Sequence, residues 1–295
     1  MNFMQLGIWL HHSKDPELIV TRRVTEYLSS RRVECYARTD QHCAGLDGVR
    51  ALESEAFFTG LDALIVLGGD GSMLAAAREG ARYGVPMLGI NLGHRGFMTE
   101  CEPDELEPAL DALVEGRFRV ENRMMLRATL TDSQGCALWQ VDALNDVVLC
   151  NRAPVQLIHA AASIEACLLE RYACDAMIVS SPTGSTAYSM AAGGPIINPQ
   201  MPCMVLTPVC ASSLTARPMV LAEDDRLTLT LTDPSQEGLA AADGQNRFPV
   251  AFGQRLLIEK SPYTTGLIRI FPHNFYQVLR DKRDEWAKDQ YLKRG

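Results

Sequence analysis

The sequence predicts a parallel α/β domain followed by a β-rich domain that folds as a sandwich of mostly antiparallel strands. Strand and helix signals alternate over the first hundred residues, and beyond about residue 120 apolar residues recur with a period of two. The length of 295 residues agrees with this division, because roughly 150 residues per domain indicates two domains.

In the first part of the chain, short apolar runs separate the helical segments. The clearest is Ala63–Leu67, which ends at Gly68-Gly69 and is typical of a strand buried on both faces. Asp15-Pro16 predicts a helix start, because proline is favoured in the first helical turn. The other expected elements are strands over 5–10, 33–37 and 87–90, and helices over 72–83 and 103–115.

In the second part, apolar residues alternate with polar ones, as in strands that bury one face. The pattern occurs over residues 126–131, 227–231, 256–258 and 267–270. Apolar residues at near-helical spacing among charges predict a last helix that begins near Phe275.

Composition and charge exclude several classes of protein. Lys plus Arg number 28 and Asp plus Glu 36, so the net charge of −8 argues against a general nucleic-acid binder. No stretch approaches the roughly 20 apolar residues of a membrane helix, and the apolar N-terminus lacks the basic region of a signal peptide. Nine cysteines without a Cys-x-x-Cys pair predict reduced thiols in a cytoplasmic protein. The six histidines lack metal-ligand spacing, so no metal cluster built by the protein is expected.

The most informative segment is Gly68-Gly69-Asp70-Gly71, which follows a buried strand and opens a helix. Glycines let backbone N–H groups approach an anion, and the helix N-terminus adds a favourable dipole. A carboxylate repels phosphates unless it holds Mg²⁺ or accepts a proton from an attacking hydroxyl, so Asp70 indicates phosphoryl transfer. The alternative is a tight strand-to-helix turn that Asp70 caps.

A second loop, Asn91–Phe97, follows the next strand and is expected at the same edge of the sheet. Arg95 could meet a phosphate there. Phe97 could pack on a base, or it could simply belong to the core.

A third segment places seven hydroxyl side chains within residues 180–189, directly after a short apolar strand. Backbone N–H groups, hydroxyls and the ring of Tyr188 together suit a nucleoside. The alternative is a surface loop rich in Ser and Thr.

Two shorter features complete the set. Asn145-Asp146 places two polar side chains on opposite faces of an apolar strand over 141–149, where they could bind both hydroxyls of a ribose. A bulge or turn is an equal alternative for this pair. Asp243-Gly244-Gln245 indicates a hairpin turn.

Together these motifs resemble the NAD kinase family, because six segments agree in order and approximate spacing. They are residues 68–71, 91–97, 145–146, 181–188 with 193–195, 217–218 and 243–244. The resemblance implies a Rossmann-like N-terminal domain over 1–100, a β-sandwich NAD-binding domain over 101–274, and a C-terminal helix over 275–295 that returns to the first domain. It also implies Mg-dependent phosphoryl transfer from ATP to the 2′-hydroxyl of the adenosine ribose of NAD, by a homo-oligomer that is a dimer or a tetramer.

The resemblance also implies roles for particular residues. Asp70 would be the base that receives the proton of the ribose hydroxyl, and Gly68, Gly69 and Gly71 would cradle the ATP phosphates. The implied NAD-binding residues are Asp70, Gly71, Phe97, Asn145, Asp146, Asp175, Thr183, Thr186, Ala187, Tyr188, Ser189 and Gln245.

Three positions depart from the family's usual pattern. Asp146 stands where a Glu is usual, so its carboxylate reaches one methylene less far. Ala176 replaces a usual Gly, and Ser212 stands where many members have His. These departures bear on substrate preference more than on the reaction.

Three rival functions share some of these features. Lipid kinases of the diacylglycerol type share the Gly-Gly-Asp-Gly loop, but they need a membrane-facing surface and the sequence has no basic amphipathic helix. Sugar-phosphate kinases of the 6-phosphofructokinase type carry a second glycine-rich loop, where this chain has residues 11–16. A non-catalytic NAD or NADP sensor would gain little from the carboxylate of Asp70.

Overall fold

A computed structural model describes residues 4–41, 43, 45–93, 96–272 and 274–292. The chain forms two compact units: Met1–Asn122 with Thr265–Gly295, and Arg123–Thr264. The predicted domain boundaries at residues 100 and 275 therefore differ from those of the compact units.

The described part of the first unit is built on a parallel sheet. Its strands are β1 (Gln5–Trp9), β2 (Glu34–Arg38), β3 (Val49–Leu52), β4 (Ala63–Gly68) and β5 (Met87–Asn91). They lie in the order β3-β2-β1-β4-β5, and all neighbouring pairs are parallel. This order is Rossmann-like and places the carboxyl ends of β4 and β5 side by side.

The helices among these strands are α1 (Ile19–Ser30), α2 (Ser54–Phe57), α3 (Asp70–Gly80) and α4 (Leu106–Val114). The helix expected to start at Asp15-Pro16 begins at Ile19 instead, because Leu18 has a left-handed backbone with φ 55°. The Asp15 carboxylate accepts hydrogen bonds from the N–H and the hydroxyl of Thr21 at 2.9 and 2.7 Å. Asp15 therefore acts as a cap that lies several residues before the helix.

The core of the first unit explains why it extends beyond residue 100. Leu106, Leu110 and Leu113 of α4 are buried in the same cluster as Leu6 and Ile8 of β1. Helix α4 thus covers the parallel sheet of the first unit.

Two strands run across the unit boundary along the chain, β6 (Arg119–Thr131) and β17 (Arg255–Arg269). The strands between them are β7 (Ala137–Ala143), β8 (Asp146–Asn151), β9 (Ile158–Ile164), β10 (Cys167–Cys174), β11 (Ala176–Ser180), β12 (Cys203–Val209), β13 (Met219–Ala222), β14 (Leu227–Leu231), β15 (Gly238–Ala242) and β16 (Gln245–Val250), with the short helix α5 (Tyr188–Ala191).

The second unit is a sandwich of two antiparallel layers. One layer has the order β13-β12-β11-β8-β15-β16, and the other contains β10-β9-β14-β17 with β6 and β7. Val147 and Met177 of the first layer are buried in one cluster with Ile158 and Leu229 of the second. The predicted β-sandwich is confirmed.

The apolar strand expected over 141–149 is wrong, because it is broken in two. Strand β7 ends at Ala143 and β8 begins at Asp146, and these two strands belong to different layers. Leu144 and Asn145 form the bend at which the chain changes layer.

The last helix, α6 (Phe275–Leu292), belongs to the first unit, as the resemblance implied. The ring of Phe275 lies 6.0 Å from that of Phe97, centroid to centroid. Among the described residues no helix is long and apolar enough to cross a membrane. None of the nine cysteines forms a disulfide.

Candidate active site

The predicted phosphate loop lies where β4 passes into α3. Gly69 is the N-cap of α3, and its carbonyl accepts hydrogen bonds from the N–H groups of Ser72 and Met73 at 2.9 and 3.1 Å. Gly68 has φ 151°, and a Cβ there would collide with the hydroxyl of Ser72. The first turn of a helix presents N–H groups without intrahelical partners, so this turn is suited to bind an anion.

The Asp70 carboxylate is held by a distant part of the chain. Its Oδ2 accepts a hydrogen bond from the N–H of Phe97 at 2.9 Å, and its Oδ1 accepts one from the N–H of Met98 at 3.0 Å. Gly96 must lack a side chain, because a Cβ there would lie on the carboxylate itself. No side chain caps α3 by a hydrogen bond, so the alternative of Asp70 as a helix cap does not describe this turn.

One cation beside this loop was missed by sequence reasoning. The Nζ atom of Lys14 lies 3.0 Å from where a Cβ on Gly69 would stand, and 3.7 Å from the equivalent position on Gly93. Its backbone is set by a turn in which the N–H groups of Lys14 and Asp15 both bond to the His11 carbonyl at 3.0 Å. Lys14 lies five residues after the end of β1, and no local pattern in the sequence marks it as a site residue.

Two buried oxygens at the ends of β4 and β5 have no hydrogen-bond partner among the described residues. They are Ser72 Oγ and Asn91 Oδ1. The amide Nδ2 of Asn91 does bond to the Gly93 carbonyl at 2.6 Å, so only its oxygen is left over. Buried polar atoms are normally satisfied, and such orphans mark a place where a ligand, water or ion completes the site.

The second predicted loop is described only in part. Arg95 lies outside the described residues. Phe97 is half-buried against Phe275 of α6, which is the contact expected from core packing.

In the second unit, Asp243 organises the Asn145-Asp146 bend. Its carboxylate accepts three backbone hydrogen bonds, from the N–H groups of Leu144 at 2.9 Å, Asn145 at 2.8 Å and Asp146 at 3.1 Å. Asp243 and Gly244, with φ 48° and 69°, form the turn between β15 and β16. The predicted hairpin turn is confirmed. Its first residue, Asp243, also fixes the shape of the Asn145-Asp146 bend.

The hydroxyl-rich segment packs onto the same bend. The N–H of Ser181 donates to the Asn145 carbonyl at 2.9 Å, and its hydroxyl donates to the Leu144 carbonyl at 2.5 Å. A Cβ on Gly184 would collide with the Asn145 carbonyl. The structure therefore brings three predicted motifs of the second unit together: the bend, the hydroxyl-rich segment and the hairpin turn.

Most hydroxyls of this segment are used internally. Ser189 is buried and shares a hydrogen bond of 2.9 Å with Thr207. Thr183 is buried and accepts a hydrogen bond from Arg123 Nη1 at 3.3 Å. Tyr188, by contrast, is 46% exposed, and Thr186 and Ala187 are half-buried beside it. The accessible part of the segment is thus the aromatic ring and its immediate neighbours.

Two residues of this region, Asp146 and Tyr188, have raised pKa values. Burial raises the pKa of Asp146 to about 7, and the neighbouring Asp243 carboxylate adds to the effect. Partial burial also raises the pKa of Tyr188, with smaller contributions from Cys150, Asp175 and others. Asp175 and Gln245 are both exposed. The second unit thus carries several oxygen and amide groups together with the exposed ring of Tyr188.

The fold and these sites define a class of protein built from two units. The α/β unit carries a glycine-rich turn suited to bind an anion, and the β-sandwich unit carries polar groups and an exposed aromatic ring. The sequence model for the ATP-NAD kinase N-terminal domain matches residues 6–118, and that for the ATP-NAD kinase C-terminal domain matches residues 144–270.

Relatives agree over three quarters of the chain or more. The NAD kinase of Heliobacterium modesticaldum is 37% identical over 280 residues, which are 95% of this chain and 98% of that protein. The NAD kinase of Symbiobacterium thermophilum is 41% identical over 223 residues, or 75% of this chain and 78% of that protein. The chain therefore belongs to the ATP-NAD kinase family.

Solved structures show the same fold. An NAD kinase from Archaeoglobus fulgidus in complex with ATP superposes with a TM-score of 0.72 at 25% identity, covering 95% of this chain and 98% of that one. Yeast NADH kinase complexed with NADH gives a TM-score of 0.82 at 20% identity, covering 95% of this chain and 86% of that one.

Proposed function

We propose that this chain transfers the γ-phosphoryl group of ATP to the 2′-hydroxyl of the adenosine ribose of NAD, forming NADP and ADP. The observation that carries the proposal is the Asp70 carboxylate, held by two backbone N–H groups at the entrance of a glycine-rich, anion-binding helix turn. Family membership supports the same reaction.

The first unit supplies the groups for phosphoryl transfer. The ribose oxygen attacks the γ-phosphorus, the bond to the β-phosphate oxygen breaks, and the hydroxyl proton passes to Asp70. Gly68, Gly69 and Gly71 leave room for the phosphates against the backbone, and Lys14 supplies a positive charge beside them. Catalysis on this plan is positioning plus electrostatics, because the reaction needs little other help from the protein.

The second unit supplies most of the groups for NAD. We assign ribose and base recognition to Asn145 and Asp146, whose oxygen and amide groups suit vicinal hydroxyls. The remaining assigned NAD-binding residues are Gly71, Phe97, Asp175, Thr183, Thr186, Ala187, Tyr188, Ser189 and Gln245. Tyr188 has the exposed ring that stacking on a base needs, whereas Ser189 is best suited to act through its buried bond to Thr207.

We expect Mg²⁺ to enter with ATP. Among the described residues no group of three or more His, Cys, Asp or Glu could hold a metal. Mg²⁺ is commonly bound through one or two protein oxygens plus phosphates and water, and the orphaned Asn91 Oδ1 is a candidate for such an oxygen. When bound, the ion neutralises charge on the transferring phosphoryl group.

Two further assignments follow from the family and from the cysteines. We propose a homo-oligomer, either dimer or tetramer. We also propose a cytoplasmic setting, which the nine cysteines outside any disulfide support.

The deciding experiment is NADP formation from NAD, ATP and Mg²⁺, followed with an NADP-specific dehydrogenase, for wild type and Asp70→Asn. We expect the variant to lose about 10²–10⁴-fold in turnover, the usual contribution of a carboxylate base, and to retain its affinity for NAD. Equal turnover in both proteins would remove the base assignment.

The same assay separates the rival functions. A folded wild type that binds NAD and makes no NADP would indicate the sensor. A wild type that does not bind NAD would reopen the lipid kinase and sugar-phosphate kinase alternatives.

A further inference from the structure

We infer that Arg269 and Glu100 are positioning residues that hold the catalytic carboxylate of Asp70 in place through the segment Phe97–Thr99. This inference rests on the proposed function, in which Asp70 is the base. All six positions lie in the first unit.

The guanidinium of Arg269 is fully buried and faces backbone carbonyls. Its Nη1 donates to the carbonyls of Met98 at 3.3 Å and Thr99 at 3.4 Å, and its Nη2 donates to the carbonyl of Phe97 at 3.4 Å. Its side chain is 0% exposed. One planar cation thus spans three consecutive carbonyls of the loop that follows β5.

Glu100 forms an ion pair with the Arg269 guanidinium and lies directly after the segment Phe97–Thr99. Its Oε2 accepts from Arg269 Nη1 at 3.1 Å, and its Oε1 accepts from the N–H groups of Ile270 at 2.7 Å and Phe271 at 2.8 Å. Residues 97–100 and residues 269–271 are therefore joined by hydrogen bonds in both directions. Arg269 donates to the first segment, and Glu100 accepts from the second. A second carboxylate, Glu121, lies 3.8 Å from Arg269 Nε and helps to compensate the buried charge.

The same segment holds Asp70 through its opposite edge. The carbonyl of Phe97 and the N–H of Met98 belong to one peptide group. Arg269 bonds to the oxygen of that group, and the Asp70 carboxylate accepts from its N–H at 3.0 Å. A cation at the oxygen polarises the peptide, which strengthens the hydrogen bond that its N–H donates.

This arrangement explains why the position needs an arginine. Arginine presents several N–H donors in a rigid plane, whereas lysine offers a compact point charge on a flexible stem. Lysine in place of Arg269 cannot bond to three successive carbonyls and Glu100 together. The segment would then shift, and a misplacement of about 1 Å in a reacting geometry costs on the order of 10²-fold in rate.

A purely structural ion pair would make a different prediction. Loss of such a pair would lower the melting temperature, with no selective effect on kcat. Loss of a positioning pair would lower kcat and leave KM for ATP nearly unchanged, since no residue of the segment is assigned to ATP. KM for NAD would rise less than kcat falls, because only Phe97 of the segment is assigned to NAD. The effect on kcat would also vanish once Asp70 no longer acts as the base.

The experiment is a double-mutant cycle on NADP formation, with Arg269→Lys and Glu100→Gln made in wild type and in Asp70→Asn. Glu100→Gln is the milder change, because the glutamine oxygen still accepts the two N–H groups after β17. The matched control is Arg127→Lys in the second unit. Arg127 donates two hydrogen bonds to the Asp142 carboxylate, each 2.9 Å long, and the substitution alters both. Melting temperatures are recorded for every variant.

We expect kcat to fall about 10²-fold for Arg269→Lys and roughly 10-fold for Glu100→Gln, with KM for ATP within about two-fold of wild type. In the Asp70→Asn background, both changes should alter the residual rate less than about two-fold. Arg127→Lys should leave kcat unchanged.

Several results would overturn the inference: unchanged kcat in both variants, raised KM alone, or losses that multiply with that of Asp70→Asn. If Arg269→Lys does not fold, the cycle with Glu100→Gln decides. Failure of the proposed function is separate, because it appears as a wild type without NADP formation, or as an Asp70→Asn variant with undiminished rate.

Discussion

At the scale of single residues, the site depends on groups held by backbone atoms. Asp70 and Asp243 each direct a carboxylate at consecutive N–H groups, of residues 97–98 and 144–146 respectively. Such charge-assisted bonds are about twice as strong as neutral ones. At Asp70 they orient the carboxylate that we propose as the base, and at Asp243 they shape the bend that carries Asn145 and Asp146.

Lys14 gives the first prediction at this scale. Lys14→Ala should raise KM for ATP about 10-fold and leave KM for NAD unchanged, because a hydrogen bond to a charged group is worth about 1.5–3 kcal/mol. Lys14→Arg should restore most of the loss. Initial rates at varied ATP and NAD test this, with Lys260→Ala in the second unit as control; an unchanged KM for ATP contradicts the assignment.

Asp146 gives a prediction about pH and stability. Its folded pKa of about 7 lies above the ordinary value near 3.9. Between these values the folded chain binds a proton that the unfolded chain does not, so the free energy of unfolding falls as pH rises through this window.

Asp146→Asn removes the free-energy cost of burying an ionised carboxylate. The variant should therefore be more stable than wild type above pH 7, by on the order of 2–4 kcal/mol at about 1.4 kcal/mol per pKa unit. The difference should shrink toward pH 4. Urea unfolding without ligands at pH 4, 6 and 8 measures it, with the exposed Asp47→Asn as control. A difference that does not change with pH contradicts the account.

At the scale of elements, function is concentrated where strands end. The turn from β4 into α3 carries the glycines and Asp70, and the end of β11 carries the hydroxyl-rich segment. Close approach of backbones at these ends explains Gly184, which lies against the Asn145 carbonyl.

Gly184→Ala should separate the hydroxyl-rich segment from the Asn145-Asp146 bend. We expect the affinity for NAD to fall about 10-fold or more and the affinity for ATP to stay unchanged, because the phosphate loop lies in the other unit. Gly193→Ala is the matched control: it has φ 85° and nothing within 4 Å of an added Cβ, so it costs about 1–2 kcal/mol of stability through backbone strain alone.

Isothermal titration with each nucleotide, together with melting temperatures, separates the two effects. Equal losses of NAD affinity in Gly184→Ala and Gly193→Ala would show that strain, and not the collision with Asn145, is responsible.

At the scale of the whole molecule, the two compact units divide the chemistry. The first carries the groups assigned to ATP and to proton transfer, together with Gly71 and Phe97, and the second carries the other groups assigned to NAD. Each unit has its own buried core, so a change in one site can leave the other unit folded.

The second unit exposes several large apolar side chains, among them Leu214 at 91% and Val155. We expect sedimentation velocity at micromolar concentration to give a dimer or a tetramer. A monomer across that range would contradict the proposed oligomer.

The sequence by itself determined the two-part fold and the glycine-rich turn between β4 and α3. Both depend on local patterns, the spacing of apolar residues and the order strand, glycines, helix. Only the tertiary structure decided what holds Asp70 and Asn145. Their anchors, Arg269 through residues 97–99 and Asp243, lie far along the chain, and Asp243 is 98 positions from Asn145. Lys14 was missed, and the strand over 141–149 was wrong, for the same physical reason: hydrogen bonds and contacts between distant segments leave no local pattern in the chain.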